Sequence, residues 1–422
     1  MRAARTLLAA ALLLLTAGAA LAEETPPVEL HAALAALRGH RQDNLDTGGA
    51  SPAFDPIKRR LRDWLLARLP AQKPTPESAA ALASEINAAL KQADLLCPPD
   101  ADNASNGPCS ASGQFFPMGY LDEIGLELHD TGTSGIFLVA KTGIGVSCGF
   151  DASAYVFAWN DGAWRLAWQS EQNDYAKERY HPGWIGAVQL GPAEEKSGNR
   201  LVLTLGSNPA CQSMFQAAYV RLWRMGARLE DARLLLDGAE AAYLGRNEPA
   251  LLGDVGLDGA LVEFATPSLD VDVHNREAVL HFKASGDTVE RVDPIALSPR
   301  DFVEEWLRRP WDESEHWTEP RHREAVAERH RALHDGVDYV SGSFVAPTRA
   351  CTVRPGLWQV AITLGSSEEE RDQRLPTFFL VRWEPPFRFR LADIADKPFP
   401  ECFQPDPAAD EWRTLFAGHG WQ

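Results

Sequence analysis

The chain has 422 residues, of which 45% are hydrophobic and 24% charged, with 59 acidic against 41 basic side chains and a formal charge of -18. That length is enough for one large or two ordinary domains with substantial cores. The acid excess repels a phosphate backbone, and basic side chains gather only in short helical stretches such as Lys58-Arg59-Arg60, which excludes nucleic acid as a partner.

The chain opens with MRAARTLLAAALLLLTAGAALA, in which Arg2 and Arg5 precede an apolar run from Leu7 to Leu15 and a small-x-small ending at Ala20-Leu21-Ala22. This pattern predicts a secretory signal peptide over residues 1–22, cleaved after Ala22. Cleavage removes two arginines and takes the charge from -18 to -20. No cysteine stands at the new terminus to carry a lipid, and no later stretch is apolar for long enough to span a bilayer. The expectation is a secreted or periplasmic protein with no integral membrane segment after cleavage.

Residues 23–96 read as an N-terminal helical segment. Leu30, Ala33, Leu34 and Leu37 recur at helical spacing. Asp55-Pro56 predicts the start of a second helix, an N-cap followed by proline at the first helical position, with Ile57, Leu61, Trp64 and Leu65 on one stripe and Pro70 beyond its end. Thr75-Pro76 opens a third, with Leu82, Ile86 and Leu90 aligned.

Six cysteines follow: Cys97, Cys109, Cys148, Cys211, Cys351 and Cys402. An even number in an oxidising compartment predicts disulfides, and Cys97 and Cys109 flank the turn-rich CPPDADNASNGPC, which makes them the expected local bridge. No CxxC is present, so neither a zinc ribbon nor a thioredoxin-like site is expected.

From Phe115 onward the chain changes to short alternating or apolar runs separated by Gly, Asp, Asn and Pro, the pattern of antiparallel β structure. Segments here repeat. Tyr155, Val156, Trp159 and Gly162 match Tyr219, Val220, Trp223 and Gly226, each 64 positions on. A weaker copy puts Phe282 at the tryptophan position, and another puts Trp383 there. LVLTLGS ending at Ser207 likewise resembles VAITLGS ending at Ser366. The pattern predicts a mainly β fold, a propeller-like array of four-stranded antiparallel units, three of them within 97–297 and a fourth over 337–400. A meander of this size cannot bury both faces alone, so the units must stack. The recurring aromatic is expected to pack between sheets. Between the third and fourth copies the aromatic spacing grows from 59 to 101 positions, which predicts a helical insertion over 298–336 that begins at Ser298-Pro299-Arg300-Asp301. Residues 401–422 form a tail.

With these copies in hand, the layout resembles β-propeller repeat proteins of the bacterial cell envelope, and SPRDFVEEWL and GLWQV are similar to segments of secreted bacterial proteins of similar length. The resemblance covers residues 115–396 and implies a repeat scaffold without specifying an activity. GDVGLDGALVEF is similar to the calcium loop of FG-GAP propeller repeats, with Asp254 and Asp258 at ligand positions, but it departs at Gly256 and Val262. Two carboxylates are too few for calcium, so a hairpin turn is expected there.

The candidate ligand residues are Glu171, Asp174, Tyr175, Tyr180 and His181, in the polar loop EQNDYAKERYHPG that should lie on a rim of the array. Asp270, Asp272 and His274 alternate as ligands on one strand face could, and His322, His330 and His334 follow a helical stripe, though Arg331 stands where a zinc protease needs glutamate. The default for both sets is a solvated face, so no metal and no cofactor are expected. The chain has no P-loop, no dinucleotide fingerprint and no sialidase Asp-box. Two functional readings follow. One is an exported non-catalytic protein that binds a protein or glycan on a β repeat scaffold. The alternative is a secreted or periplasmic hydrolase that cleaves carbohydrate through loop carboxylates such as Glu171 and Asp174.

Overall fold

A computed structural model describes residues 26–38, 51–96, 119–131, 135–146, 149–171, 184–207, 215–226, 228–243, 252–271, 273, 275–292, 296–319, 321, 323–337, 341–345, 347–384 and 388–406. They form two compact units that divide between Asp237 and Gly238. The chain is mainly β, with antiparallel sheets and helices at its N-terminal end.

The first unit begins with α1 (Val28–Arg38), α2 (Ser51–Arg68) and α3 (Pro76–Gln92). Leu30, Leu34 and Leu37 bury the inner stripe of α1. A reciprocal cap starts α3, in which Ser78 N–H donates to Thr75 Oγ1 (3.2 Å) and Thr75 N–H donates to Ser78 Oγ (2.8 Å). The start predicted for α2 at Asp55 is late, because the helix begins at Ser51 and carries Pro56 inside it. The proline removes one backbone donor near the helix start, and burial of Phe54, Ile57 and Leu61 holds the segment helical across it.

Two four-stranded sheets follow in chain order: β1 (Gly125–Asp130), β2 (Ile136–Val146), β3 (Gly149–Asn160) and β4 (Ala163–Ser170), then β5 (Trp184–Leu190), β6 (Arg200–Ser207), β7 (Phe215–Met225) and β8 (Arg233–Tyr243). Strands in chain order give the meander topology of a propeller blade. Tyr155 and Tyr219, matched in the sequence, both lie on third strands, β3 and β7. Asn160 pairs with Ala163 across a two-residue turn whose Asp161 and Gly162 both have positive φ (52° and 81°), the conformation a tight hairpin demands.

Alternation along β3 divides the core. Tyr155, Phe157 and Trp159 face the helices, whereas Val156 and Ala158 face the second sheet, packing with Val188, Val202 and Trp223. A bulge in β4 does the sorting. Val156 pairs with Trp168 but Phe157 with Leu166, so Ala167 is the extra residue. Trp164 and Leu166 therefore reach the helical side while Trp168 turns to the second sheet and meets Trp223 edge-on at 5.6 Å. The recurring tryptophan packs as expected in the second sheet, but Trp159 lies under the N-terminal helices instead of between sheets.

In the second unit β9 (Leu252–Val255), β10 (Gly259–Pro267), β11 (Asn275–Ser285) and β12 (Thr288–Arg291) form another four-stranded meander, with Phe282 buried on its third strand. Asp254 and Asp258 sit at the β9–β10 hairpin, where Gly256 N–H donates to Gly259 O. Gly259 is fixed by space, since a Cβ there would stand 2.2 Å from the Phe282 carbonyl oxygen. Helices α4 (Pro299–Arg308), α5 (Trp311–Ser314) and α6 (Arg323–Val337) come next.

The last sheet has six strands where four were expected. β13 (Ser341–Phe344) and β14 (Arg349–Ala350) both pair with β15 (Leu357–Gly365), so they are two pieces of one outer strand. β16 (Thr377–Glu384) and β17 (Arg388–Ala395) complete the meander, helix α7 (Glu368–Gln373) lies between β15 and β16, and β18 (Gln404–Pro405) adds to β14. Val360, Ile362, Phe379, Val381 and Leu391 pack on Phe302, Val303, Trp306 and Leu307 of α4, with Trp383 against the same cluster. Its aromatic too meets helices and not a sheet. Among the described residues no helix is long and apolar enough to cross a membrane.

Of the six cysteines, Cys351 and Cys402 are bonded, both buried, 51 residues apart. Cys97, Cys109, Cys148 and Cys211, and with them the expected Cys97–Cys109 bridge, lie outside the described residues, as does the predicted signal peptide. A closed loop of that length restricts the unfolded chain by about 4 kcal/mol in the chain-entropy account. Replacing Cys351 and Cys402 together by serine should lower stability by about 2–4 kcal/mol in denaturant titrations. An unchanged midpoint would show that the bridge adds nothing to the folded state.

Candidate functional site: a polar cavity at the start of helix α4

The second unit contains a cavity of about 190 Å³ lined by Ser268, Asp270, Asn275, Glu277, Asp301 and Phe344, among others. Four pieces of chain build it: the residues after β10, the start of β11, the first turn of α4 and Phe344 at the end of the strand Ser341–Phe344. Ser298 caps the helix, accepting from Asp301 N–H at 3.1 Å, and Pro299 occupies the first helical position, so Asp301 is held where backbone N–H groups favour a carboxylate.

Helix α4 buries more than an apolar stripe. Phe302, Val303, Trp306 and Leu307 are buried, but so are Glu304 and Glu305, at 3% and 7% exposure. Each has a full set of partners, which is the condition for burying charge. Glu304 accepts from Ser268 Oγ and from Leu269 N–H, both at 2.7 Å, with Arg276 Nε 3.3 Å away. Glu305 is held by Arg276 (2.8 Å), Arg291 (2.5 Å) and Arg309 (2.9 Å). Burial pushes the Glu305 carboxyl upward, but Arg291, Arg276 and Arg309 outweigh it and hold it well below the usual carboxylate range.

Asp301 is the opposite case. Burial pushes its carboxyl up to about 6, Arg276 opposes the rise, and the negative charge of Glu304 reinforces it. One helix thus carries a locked carboxylate and, one turn earlier, a carboxyl poised to exchange a proton near neutral pH. Perturbed proton affinities of this kind cluster at functional sites.

Of the residues singled out in the sequence, Glu171, Asp270, His330 and His334 lie within the described structure. Glu171, at the end of β4, is turned inward, its side chain 6% exposed, accepting from Arg62 Nη1 at 3.0 Å. Asp174, Tyr175, Tyr180 and His181 lie outside the described residues. So do Asp272 and His274, while Asp270 sits in a connection after β10, bridged to Gly342, and not on a continuous strand. His322 is outside as well. His330 and His334 face inward instead of forming a solvated stripe. His330 Nε2 lies 3.0 Å from the Trp306 carbonyl oxygen and His334 Nδ1 2.9 Å from that of Leu307, so the pair satisfies the last carbonyls of α4. Burial lowers the His330 pKa, which keeps the ring neutral for that role. Among the described residues no group of three or more metal-ligating side chains comes together.

Asp301, Glu304, Glu305 and Arg276 were missed by motif reading. The available signal was two adjacent glutamates inside the apolar run FVEEWL, because a helix that buries its flanks on both sides must bury them too.

No family model matches the chain, and no curated protein does. Among solved structures, the one described as Bacteroides ovatus Xyloglucan PUL GH43B overlaps 71% of this chain and 50% of its own, at 10% sequence identity and a TM-score of 0.19. The chain spans about half the length of that protein. A likeness this loose carries no argument.

Two outcomes test the electrostatics. Glu305→Gln leaves three arginines around a neutral amide and should cost about 3–5 kcal/mol in chemical denaturation, whereas a loss below about 1 kcal/mol would mean the cluster is solvated. For Asp301 the folded-state value near 6 lies above the ordinary 3.8. The folded state therefore holds the proton more tightly, and stability present below pH 3.8 is lost as pH rises through 6, by about 3 kcal/mol. Asp301→Asn should match the native chain near pH 4 and exceed it at pH 7.5. A gain equal at both pH values would assign the titration to another group.

Proposed function

We propose that this is an exported, non-catalytic binding protein, and that the cavity beside α4 holds a small polyhydroxylated ligand, one sugar residue of a glycan. The chemistry of the walls supports this reading. Carboxylates accept from adjacent hydroxyls, an amide such as Asn275 both donates and accepts, and Ser268 adds a hydroxyl to the same small volume. Phe344, with the Arg300 guanidinium 5.4 Å over its ring, supplies an apolar wall for the carbon face of a ring.

One observation carries binding over cleavage. Glycoside hydrolysis needs a second carboxylate free to act as base or nucleophile opposite the acid. Here Asp301 has the pKa of an acid, but both oxygens of Glu304 are taken by Ser268 and Leu269, and Glu305 is enclosed by arginines. Asp270 and Glu277 have partners of their own. The leader expected over residues 1–22 and the Cys351–Cys402 bond support an oxidising compartment for such a protein.

Calorimetric titration of the mature chain with a panel of mono- and oligosaccharides should find one site, weakened roughly 10-fold by Asn275→Ala and again by Asp301→Ala. Because Asp301 titrates near 6, affinity should change between pH 5 and 7. The reading fails if no sugar binds. It fails equally if the chain turns over a glycoside and Asp301→Ala abolishes the turnover, which would establish the hydrolase instead.

A further inference from the structure

A second polar assembly lies in the first unit, beneath α2. Thr142 of β2 stands opposite Ser153 of β3, Tyr155 stands opposite Gln169 of β4, and alternation puts Asp151, Ser153 and Tyr155 on the sheet face that the helices cover. Into this face α2 sends two cations. Lys58 Nζ lies 2.8 Å from Asp151 Oδ2, both without meaningful exposure, and Arg62 Nη1 reaches Glu171 (3.0 Å) and Gln169 (2.7 Å).

Two cations against two carboxylates close the charge. What remains is hydroxyl. Thr142, Ser153 and Tyr155 are 8%, 2% and 0% exposed, and their oxygens have no hydrogen-bond partner among the described protein atoms. The Tyr155 hydroxyl is near enough to Glu171 and Ser153 to feel both without a hydrogen bond of normal geometry to either. Burial first, and the charge of Glu171 second, raise its pKa well above the usual value, so it keeps its proton and remains a donor. Three buried hydroxyls on one face match the number of bonds an internal water makes, and buried polar groups left without protein partners are where such waters reside.

We propose that the seam between α2 and the first sheet is an internal hydration site, in which ordered water joins Thr142, Ser153 and Tyr155 and links helix α2 to the end of β4 at Glu171. The closed charge selects a neutral occupant over an ion, and the hydroxyl lining selects a hydrogen-bonding one over an apolar one. Within the seam, the ion pairs fix where α2 lies and the water fixes the register of the hydroxyls beneath it.

Thr142→Val, Ser153→Ala and Tyr155→Phe each delete one hydroxyl with little change of shape, and each should lower the Tm of the full chain by roughly 2–4 °C. Paired variants should lose less than the sum, because they share an occupant. Oxygen-17 relaxation dispersion should count fewer long-lived waters in Tyr155→Phe than in the native chain, with far-UV circular dichroism confirming that both are folded. Unchanged or raised Tm values would overturn the proposal, since deleting a dry, unpartnered hydroxyl removes a penalty. So would losses that simply add with an unchanged water count. Release of a small solute on denaturation, detected by mass spectrometry, would assign the seam to another ligand and overturn it as well.

Discussion

A four-stranded antiparallel meander has two faces and alternating side chains, so when both faces are apolar both must be covered. That requirement organises the molecule. The first sheet meets helices on the face of Tyr155, Phe157 and Trp159, and the second sheet on the face of Val156 and Ala158. The last sheet meets α4 through Val360, Ile362, Phe379 and Val381. The helices at residues 28–92 and 299–337 are therefore covers, each placed against a sheet face that would otherwise be wet.

Covering a sheet with a helix has an electrostatic side. A helix brings long charged side chains into contact with a surface that offers few counterions, and they persist there only when paired. In the first unit the answer is Lys58 on Asp151 and Arg62 on Glu171. In the second it is Glu305 among Arg276, Arg291 and Arg309, with Glu304 bound to Ser268 and Leu269. Replacing such a cluster whole by well-packed apolar side chains can cost little, whereas removing one partner leaves an uncompensated buried charge. The cavity beside Asp301 lies where one of these covers begins, and the unusual proton affinity of that carboxyl comes first from burial, with Arg276 opposing the rise and the charge of Glu304 adding to it.

Much of the scaffold was legible because it is local. Period-two runs and the aromatic recurring at Trp159, Trp223, Phe282 and Trp383 gave the units, Thr75-Pro76 and Ser298-Pro299 gave two helix starts, and Asp161-Gly162 gave a tight hairpin. What was not legible is tertiary. Glu304 and Arg276 are 28 positions apart and meet only because α4 docks on β11, and Glu171 reads as a polar loop residue until Arg62 is seen to draw it inside. The start of α2 was misplaced because a proline tolerated inside a well-buried helix has the same local signature as a proline at its first turn. His330 and His334 looked solvent-facing because a stripe of polar residues says nothing of the carbonyls waiting at the end of a neighbouring helix.

The extra residue at Ala167 separates Trp164 and Leu166 from Trp168, so that one strand serves an α-helical layer and a β layer at once. In a lineage that grows by duplicating segments, every new copy inherits neighbours unlike those of its parent. Resculpting a whole face to suit them would take many coordinated substitutions. A one-residue insertion reassigns every side chain beyond it in a single event, and so offers repeats a short evolutionary path to unequal surroundings.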